Sequence, residues 1–459
     1  MAEKLRSVGL DVGTTSTQLV VSELTVENRA SCFAVPDFSI SGRKILYESP
    51  VYFTPLIQED RIDGQGIRKI VEREYKNAGI RREDVQTGAV IVTGETSRKE
   101  NADQVLAALS SFAGDFVVAT AGPDLESRLA AKGAGAAEYS KKTGKTVLHV
   151  DIGGGTSNFA LIREGEIVDT GCLNVGGRLV KYREDRVITW VSPALKGMFS
   201  LKPGDTLEEN QAEKLADRLT RVLEMASGLR SPDGDLERLI TREGKLPDPE
   251  LLKERPVLSF SGGVADCMKN QLPWDCFGDL GPSLGKCILK SRLCAGAYIL
   301  GEQTIRATVI GAGCHSAQLS GSTVFCQNVD LPLKNLETVH LTWDRPVKDQ
   351  IREGLKNRES ERVFFLGEGA SPTYEGLQKL AEEIAAGADG RPVYLCLQQD
   401  MAKALGQMLA LTMGKAGQIL CLDRILLREE SYLDVGKPVG PAIPVVVKTL
   451  ILGKGNAYE

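Results

Sequence analysis

The sequence predicts an α/β protein of two similar lobes followed by a further α/β domain, and three observations carry that prediction. An apolar strand ending in Asp11 crosses a turn of small residues into a second apolar strand (VGLDVGTTSTQLVV, 8–21), and the device returns in TVLHVDIGGGTSNFALI at 146–162. Unrelated hairpins need not share Asp-x-Gly followed by Thr at the same place in the strand, so the recurrence argues for a duplicated unit. Between and after the copies, apolar runs of strand length alternate with helical patterns, as layered α/β chains do. A fresh strand–helix–strand run then begins after about residue 300.

Along the first lobe, 1–144, the opening hairpin is followed by a polar stretch at 36–66 holding Pro36, Pro50 and Pro55, which reads as an irregular insertion. Ile67, Ile70 and Val71 fall at helical spacing within 67–76, and apolar strands are expected at 89–92 and 116–119. The second lobe, 145–300, opens with the second hairpin and carries a charged helical insertion at 205–255. There Thr206 and Glu209 read as a capping box, with Leu215, Leu219, Val222 and Ala226 as its core stripe. PVLSFSGGVADC at 256–267 reads as a strand entering a third glycine loop. In the C-terminal domain, 301–459, strands at 363–366 and 393–397 flank a helix capped at Ser371-Pro372.

Two glycine-rich stretches are set aside. GPSLGKC at 281–287 has one residue too few for a Walker A loop, and Cys287 replaces the metal-binding hydroxyl. VIGAGCHSAQLSG at 309–321 follows a strand and offers Gly311 and Gly313, but Ser316 stands where a dinucleotide fingerprint needs its last glycine.

With 56 Lys+Arg against 61 Asp+Glu, net −5, there is no basic field to attract nucleic acid or an anionic membrane. No apolar run reaches the roughly 18–20 residues of a membrane helix, and no leader-like h-region follows Met1, so a cytoplasmic chain is expected. The ten cysteines form no CxxC pair and only three histidines are present, so buried reduced thiols are expected rather than zinc. His149 lies inside an apolar strand and reads as a satisfied core residue.

A turn of small residues lets several backbone N–H groups converge on an anion, which makes Gly13, Thr14, Thr15 and Gly153, Gly154, Gly155, Thr156 candidate phosphate cradles. A carboxylate at the strand end would repel phosphate, so Asp11 and Asp151 are best explained as holding Mg²⁺.

The three loops, in this order, resemble the phosphate-1, phosphate-2 and adenosine motifs of the actin, Hsp70 and sugar-kinase superfamily. The resemblance implies a two-lobed actin-like (ribonuclease H-like) ATPase fold with an additional C-terminal α/β domain, and ATP with Mg²⁺ as cofactors. It sets Ser261, Gly262 and Gly263 against the adenosine. ATAGPDLESRLAAKGAGAAEYS at 119–140 is similar to the superfamily's first connecting helix, and because Gly122 displaces the acid expected before Pro123, Glu126 or Asp124 takes over positioning of the attacking water. Glu126 and Asp151 are then the catalytic candidates.

Across 8–452, VIVTGETSRKENA, VVATAGPDLES, LSFSGGVADC and YLDVGKPVGPAIPVVVKTLILG, with the two hairpins, resemble the ethanolamine ammonia-lyase reactivating factors. That resemblance implies a chaperone-like role: with ATP and Mg²⁺, release of damaged cobalamin from ethanolamine ammonia-lyase so that intact adenosylcobalamin enters. It also implies an association with a bacterial microcompartment; a homodimer is left open, and so is whether the C-terminal domain, 301–459, is a partner-binding module. The Asp-x-His-x-x-Gly cobalamin-ligand pattern does not occur in the sequence. A sugar-kinase-type enzyme would need a carboxylate base behind a recognisable substrate signature, and none is evident. An actin-like filament protein is the remaining alternative.

Overall fold

The computed structural model describes residues 3–449 apart from 14–15, 29–37, 59–60, 93–100, most of 102–117, 121–122, 242–244, 302, 316, 321–322, 357–360, 426, 428–430 and 439–442. Its first sheet contains β1 (Glu3–Val12), β2 (Ser16–Asn28), β3 (Phe38–Glu48), β4 (Tyr52–Phe53), β7 (Thr87–Val92) and β8 (Val118–Thr120), with main order β3-β2-β1-β7-β8; β5 (Leu56–Gln58) and β6 (Arg61–Ile62) form a separate hairpin. The second sheet runs β11 (Glu166–Leu173), β10 (Ser157–Arg163), β9 (Val147–Ile152), β14 (Val257–Ser261), β15 (Tyr298–Leu300), with β12 (Val180–Tyr182) and β13 (Ile188–Val191) as a side ribbon.

Both sheets have one plan: three antiparallel strands in sequence, then two more added parallel to the first of them. This is the ribonuclease H-like arrangement, present twice, and the chain has the two-lobed actin-like fold.

The copies match residue by residue. Asp11 pairs with Gln18 and Val12 with Thr17; Asp151 pairs with Asn158 and Ile152 with Ser157. The turns close alike, Gly13 N–H donating to Ser16 O at 2.8 Å and Gly153 N–H to Thr156 O at 2.9 Å.

Strand alternation decides which side chains meet. In β1, Val8, Leu10 and Val12 pack on the helix Gly64–Asn77, while Ser7, Gly9 and Asp11 take the other face, against the helix Ala307–His315. In β9, Leu148, Val150 and Ile152 enter the largest core with the helix Glu209–Ala226. Val147, His149 and Asp151 face the other way, where Val147 meets Ala131 and Ala136.

The helices Pro123–Gly133 and Ala307–His315 therefore lie between the two sheets, in mutual contact. Their closeness depends on glycine: a Cβ on Gly133 would fall 1.8 Å from Ala307 O, and one on Gly311 2.0 Å from Leu129 O.

The third sheet is ordered β16 (Ala317–Leu319), β23 (Pro444–Thr449), β22 (Ser431–Val435), β18 (Leu333–Leu341), β19 (Arg362–Leu366), β20 (Val393–Leu397), β21 (Ile419–Asp423), β17 (Val324–Gln327). Its central four, β18 to β21, are parallel, with the helices Val347–Gly354, Tyr374–Ala388 and Ala402–Met413 packed on one face. As expected, Val393–Leu397 is a strand and Leu377, Leu380 and Ile384 face inward.

Several expectations need correction. Within the stretch 36–66, expected to be irregular, Phe38–Glu48 forms the eleven-residue strand β3 along β2, its exposed outer edge hiding the apolar signal. The run 309–315, set aside as a dinucleotide turn, is helix, its glycines fitting backbone contacts with neighbouring helix and strand. The capping box of Glu209–Ala226 is built by Glu208 and Gln211, the Gln211 side chain accepting from Glu208 N–H at 2.9 Å, while Thr206 bridges to Val187. Thr373, not Ser371-Pro372, caps the next domain's helix by accepting from Gly376 N–H. Of the described cysteines, all free, Cys276 and Cys326 are exposed rather than buried.

Candidate nucleotide site

A cavity of about 410 Å³ lies where the two hairpin turns face each other. Asp11 and Gly13 line it from the first lobe; Asp151, Gly153, Gly154, Gly155 and Thr156 from the second; Glu126 enters from the helix Pro123–Gly133. Gly262 and Gly263, the first residues of the helix Gly262–Asn270, complete this set. Thr14 and Thr15 lie outside the described residues, as does Gly122. Of the two acids considered beside Pro123, Glu126 reaches the cavity, whereas Asp124 is held by the Thr170 hydroxyl at 2.6 Å and by Arg128 at 3.0 Å.

Ser261 is the exception. It is fully buried and does not line the cavity. Alternation along β14 turns Ser259 and Ser261 toward β9, where both His149 ring nitrogens meet their hydroxyls, at 3.0 and 2.9 Å. Ser261 Oγ donates to Asp151 Oδ1, so it accepts from His149 Nε2–H, and Nδ1 accepts from Ser259. His149 is thus the satisfied core residue expected, kept neutral because burial pulls it down to about 3.

Asp151 is 5% exposed, and burial raises its carboxyl to about 6 against the lowering effect of hydrogen bonds from Ser261 and Thr308. Thr308 belongs to the helix Ala307–His315 and reaches Asp151 Oδ2 at 3.5 Å, so the segment that looked like a dinucleotide turn serves this site as a helix.

The sequence reading also missed Gln18, Arg178, Asp266 and Asp279 among the lining residues. Gly177 and Arg178 donate backbone N–H groups to Gly153 O and Gly154 O at 3.0 and 2.6 Å, which ties Arg178 to the second turn. Its guanidinium pairs with Asp279 at 2.8 Å and lies 5.2 Å from the ring centre of Phe53. Phe53 in turn stands opposite Ser16 of the first turn. The GG of 176–177 was a signal for this support, since a Cβ on Gly176 would meet Gly154 O at 2.4 Å.

The charge of the cavity constrains its ligand. Its described lining holds five carboxylates (Asp11, Glu126, Asp151, Asp266, Asp279) and one cation, Arg178. A polyphosphate would be repelled there unless a divalent cation entered with it. No cluster of three or more His, Cys, Asp or Glu able to hold a metal occurs among the described residues. Two strand-end carboxylates with the rest of the shell from phosphate and water suit Mg²⁺, which keeps several waters and few protein ligands. Gln18 Oε1 and Asn158 Oδ1, opposite Asp11 and Asp151 in register, are buried acceptors without a hydrogen-bond partner among the described residues.

The family model described as "Ethanolamine utilisation protein EutA" matches residues 3–453. The chain belongs to the EutA family. Two relatives, each described as "Ethanolamine ammonia-lyase reactivase EutA", are similar along almost their whole length. The one from Salmonella typhimurium is 36% identical over 467 residues, covering 97% of this chain and 98% of its own. The one from Escherichia coli is 35% identical over 483 residues with the same coverage. Among solved structures, an exopolyphosphatase from Cytophaga hutchinsonii matches with a TM-score of 0.39 at 12% identity, covering 67% of this chain and 96% of that one. Among the described residues, no helix is long and apolar enough to cross a membrane.

Proposed function

We propose that this chain is an ATP-dependent, chaperone-like reactivase of ethanolamine ammonia-lyase, which releases damaged cobalamin so that intact adenosylcobalamin can bind. The observation that carries the reading is the pair of like-built turns facing one acid-lined cavity, in a chain whose full-length relatives bear the reactivase name.

In this reading Asp11 and Asp151 hold Mg²⁺, and the turns at Gly13 to Thr15 and Gly153 to Thr156 cradle the phosphates with backbone N–H groups. Gly262 and Gly263 lie against the adenosine; Ser261 supports Asp151 from behind instead of touching the nucleoside. Glu126, poised at the cavity, orients the attacking water. The metal, when bound, neutralises the phosphate charge; the protein's part is to hold the turns apart at a fixed spacing and to present the carboxylates.

Loosening a bound cofactor a thousandfold requires about 4 kcal/mol of differential binding. Closure of the two lobes on Mg-ATP supplies it by changing affinity for the lyase, and slow hydrolysis resets the cycle. We place the lyase contact on the C-terminal α/β domain and the protein in the cytoplasm, within reach of a bacterial microcompartment.

The test mixes the protein with cyanocobalamin-blocked ethanolamine ammonia-lyase, Mg-ATP and adenosylcobalamin. Regained deamination together with free cyanocobalamin is expected, and both are expected to vanish with Asp11→Ala or Asp151→Ala. Unchanged lyase activity with the wild-type protein would defeat the reading.

A further inference from the structure

We infer that the second lobe carries a separate binding site for a small organic oxyanion, in a cavity of about 280 Å³ between Arg255 and Arg292. The cavity opens near Pro256 and Leu258, at the start of β14, whereas Gly262 and Gly263 of the nucleotide site follow the strand's other end. At about 3.3 Å per strand residue the two sites are well over 10 Å apart.

Two features give this cavity its chemistry. It is lined by two guanidiniums and no carboxylate, in a chain of net charge −5 whose nucleotide cavity is lined mainly by acids. Among the described residues neither arginine has an ion-pair partner, because the acids nearby are engaged elsewhere. Glu224 holds Arg230 at 2.7 Å and the Arg292 backbone N–H at 3.0 Å; Glu254 holds Arg163 at 3.0 Å; Glu250 holds Lys253 at 2.7 Å. Of the Arg292 guanidinium, Nη1 donates to Leu229 O at 3.0 Å, and a guanidinium has five donors in all.

A forked guanidinium takes two oxygens of one oxyanion, so the unpaired donors of Arg255 and Arg292 suit such a group. The remaining wall, Leu229, Leu252, Pro256 and Leu258, is apolar. The ligand is accordingly a phosphate ester or carboxylate on a short apolar body. At about 280 Å³ the cavity falls just below the usual range of ligand pockets, about 300–1,000 Å³, so only a small ligand fits.

The site is tested on the full chain by titration calorimetry with inorganic phosphate in one arm and butyrate in the other, and by crystals soaked in selenate. Saturable binding is expected in at least one arm, together with an anomalous peak between Arg255 and Arg292. The Arg255→Gln/Arg292→Gln variant should bind the preferred anion at least tenfold more weakly, with Mg-ATP affinity unchanged. The phosphate and butyrate arms separate the two headgroups. Equal affinity in wild type and double variant, no saturable binding in either arm, or an anomalous peak confined to the nucleotide cavity would overturn the inference. If the double variant fails to fold, Arg292→Lys and the selenate position still decide it.

Discussion

Asp151 stands in a contradiction that gives it a measurable signature. Burial lifts its carboxyl to about 6, yet holding Mg²⁺ requires the ionised form. Its folded value lies above the ordinary 3.8, so the native state keeps a proton that the unfolded chain releases between about pH 4 and 6. Ionised Asp151 therefore costs the empty fold roughly 3 kcal/mol above about pH 6, each tenfold change in proton affinity being worth about 1.4 kcal/mol. Metal binding must expel that proton. Mg-ATP affinity is expected to be level above pH 7 and to fall toward tenfold for each step of one in pH below about pH 6, measured by calorimetry across pH 5–8. Ser261→Ala removes the hydroxyl that stabilises the carboxylate and should move this break to higher pH; an unmoved break would show that Ser261 does not tune Asp151. Gly262→Ala is a sharper probe of shape. Gly262 has φ of +88°, and a Cβ there would lie 2.3 Å from Ile152 O. A loss of about 2 kcal/mol or more in denaturant unfolding is expected from the left-handed backbone and the clash together. Asp151 was legible from the sequence because its neighbours recur at Asp11. The inward turn of Ser261 is written there too, in the alternation of Leu258 and Phe260 with Ser259 and Ser261.

At the scale of elements, β4 and the 176–178 segment reach toward each other across the cleft. β4 pairs with Ser16 and Thr17, and the Thr54 hydroxyl just beyond it donates to Gly13 O at 2.8 Å, so Phe53 moves with the first turn. Arg178 moves with the second, by its backbone bond to Gly154. Their cation–π contact is then a clasp between lobes, worth about 0.5–1 kcal/mol where exposed. Phe53→Ala and Arg178→Gln should each speed nucleotide release twofold to fivefold, and the double variant should add little beyond either single. Additive effects in stopped-flow dissociation would mean the two side chains act separately. The helix pair between the sheets makes a second prediction. Gly311→Ala places a methyl 2.0 Å from Leu129 O, so the two helices must part, and a loss of about 2–4 kcal/mol is expected in thermal or denaturant unfolding. Neither feature could be read from the sequence. A nine-residue helix with two glycines among Ala, Val and Ile resembles strand and turn until its partner helix is known, and the strand β3 hides behind charged edge residues.

For the whole molecule, the duplicated sheet explains why two lobes can close on one ligand. Each lobe has its own core, and the helices between the sheets connect them without filling the cleft. The overall plan was legible because a repeat of strand, turn and strand survives in the sequence; a docking surface has no such period. If closure links nucleotide to lyase, the linkage must be reciprocal. Whatever factor Mg-ATP applies to lyase affinity, the lyase must apply to Mg-ATP affinity, with about fivefold to 150-fold typical of such couplings. Measuring lyase affinity with and without Mg-ATP, and Mg-ATP affinity with and without lyase, on a Glu126→Gln protein that keeps Asp151 but lacks the carboxylate proposed to orient the attacking water, gives the two factors independently. Equal factors above fivefold are expected. A lyase affinity indifferent to nucleotide would break the proposed cycle even if both ligands bind, because two ligands without differential affinity for the open and closed lobes cannot shift one another.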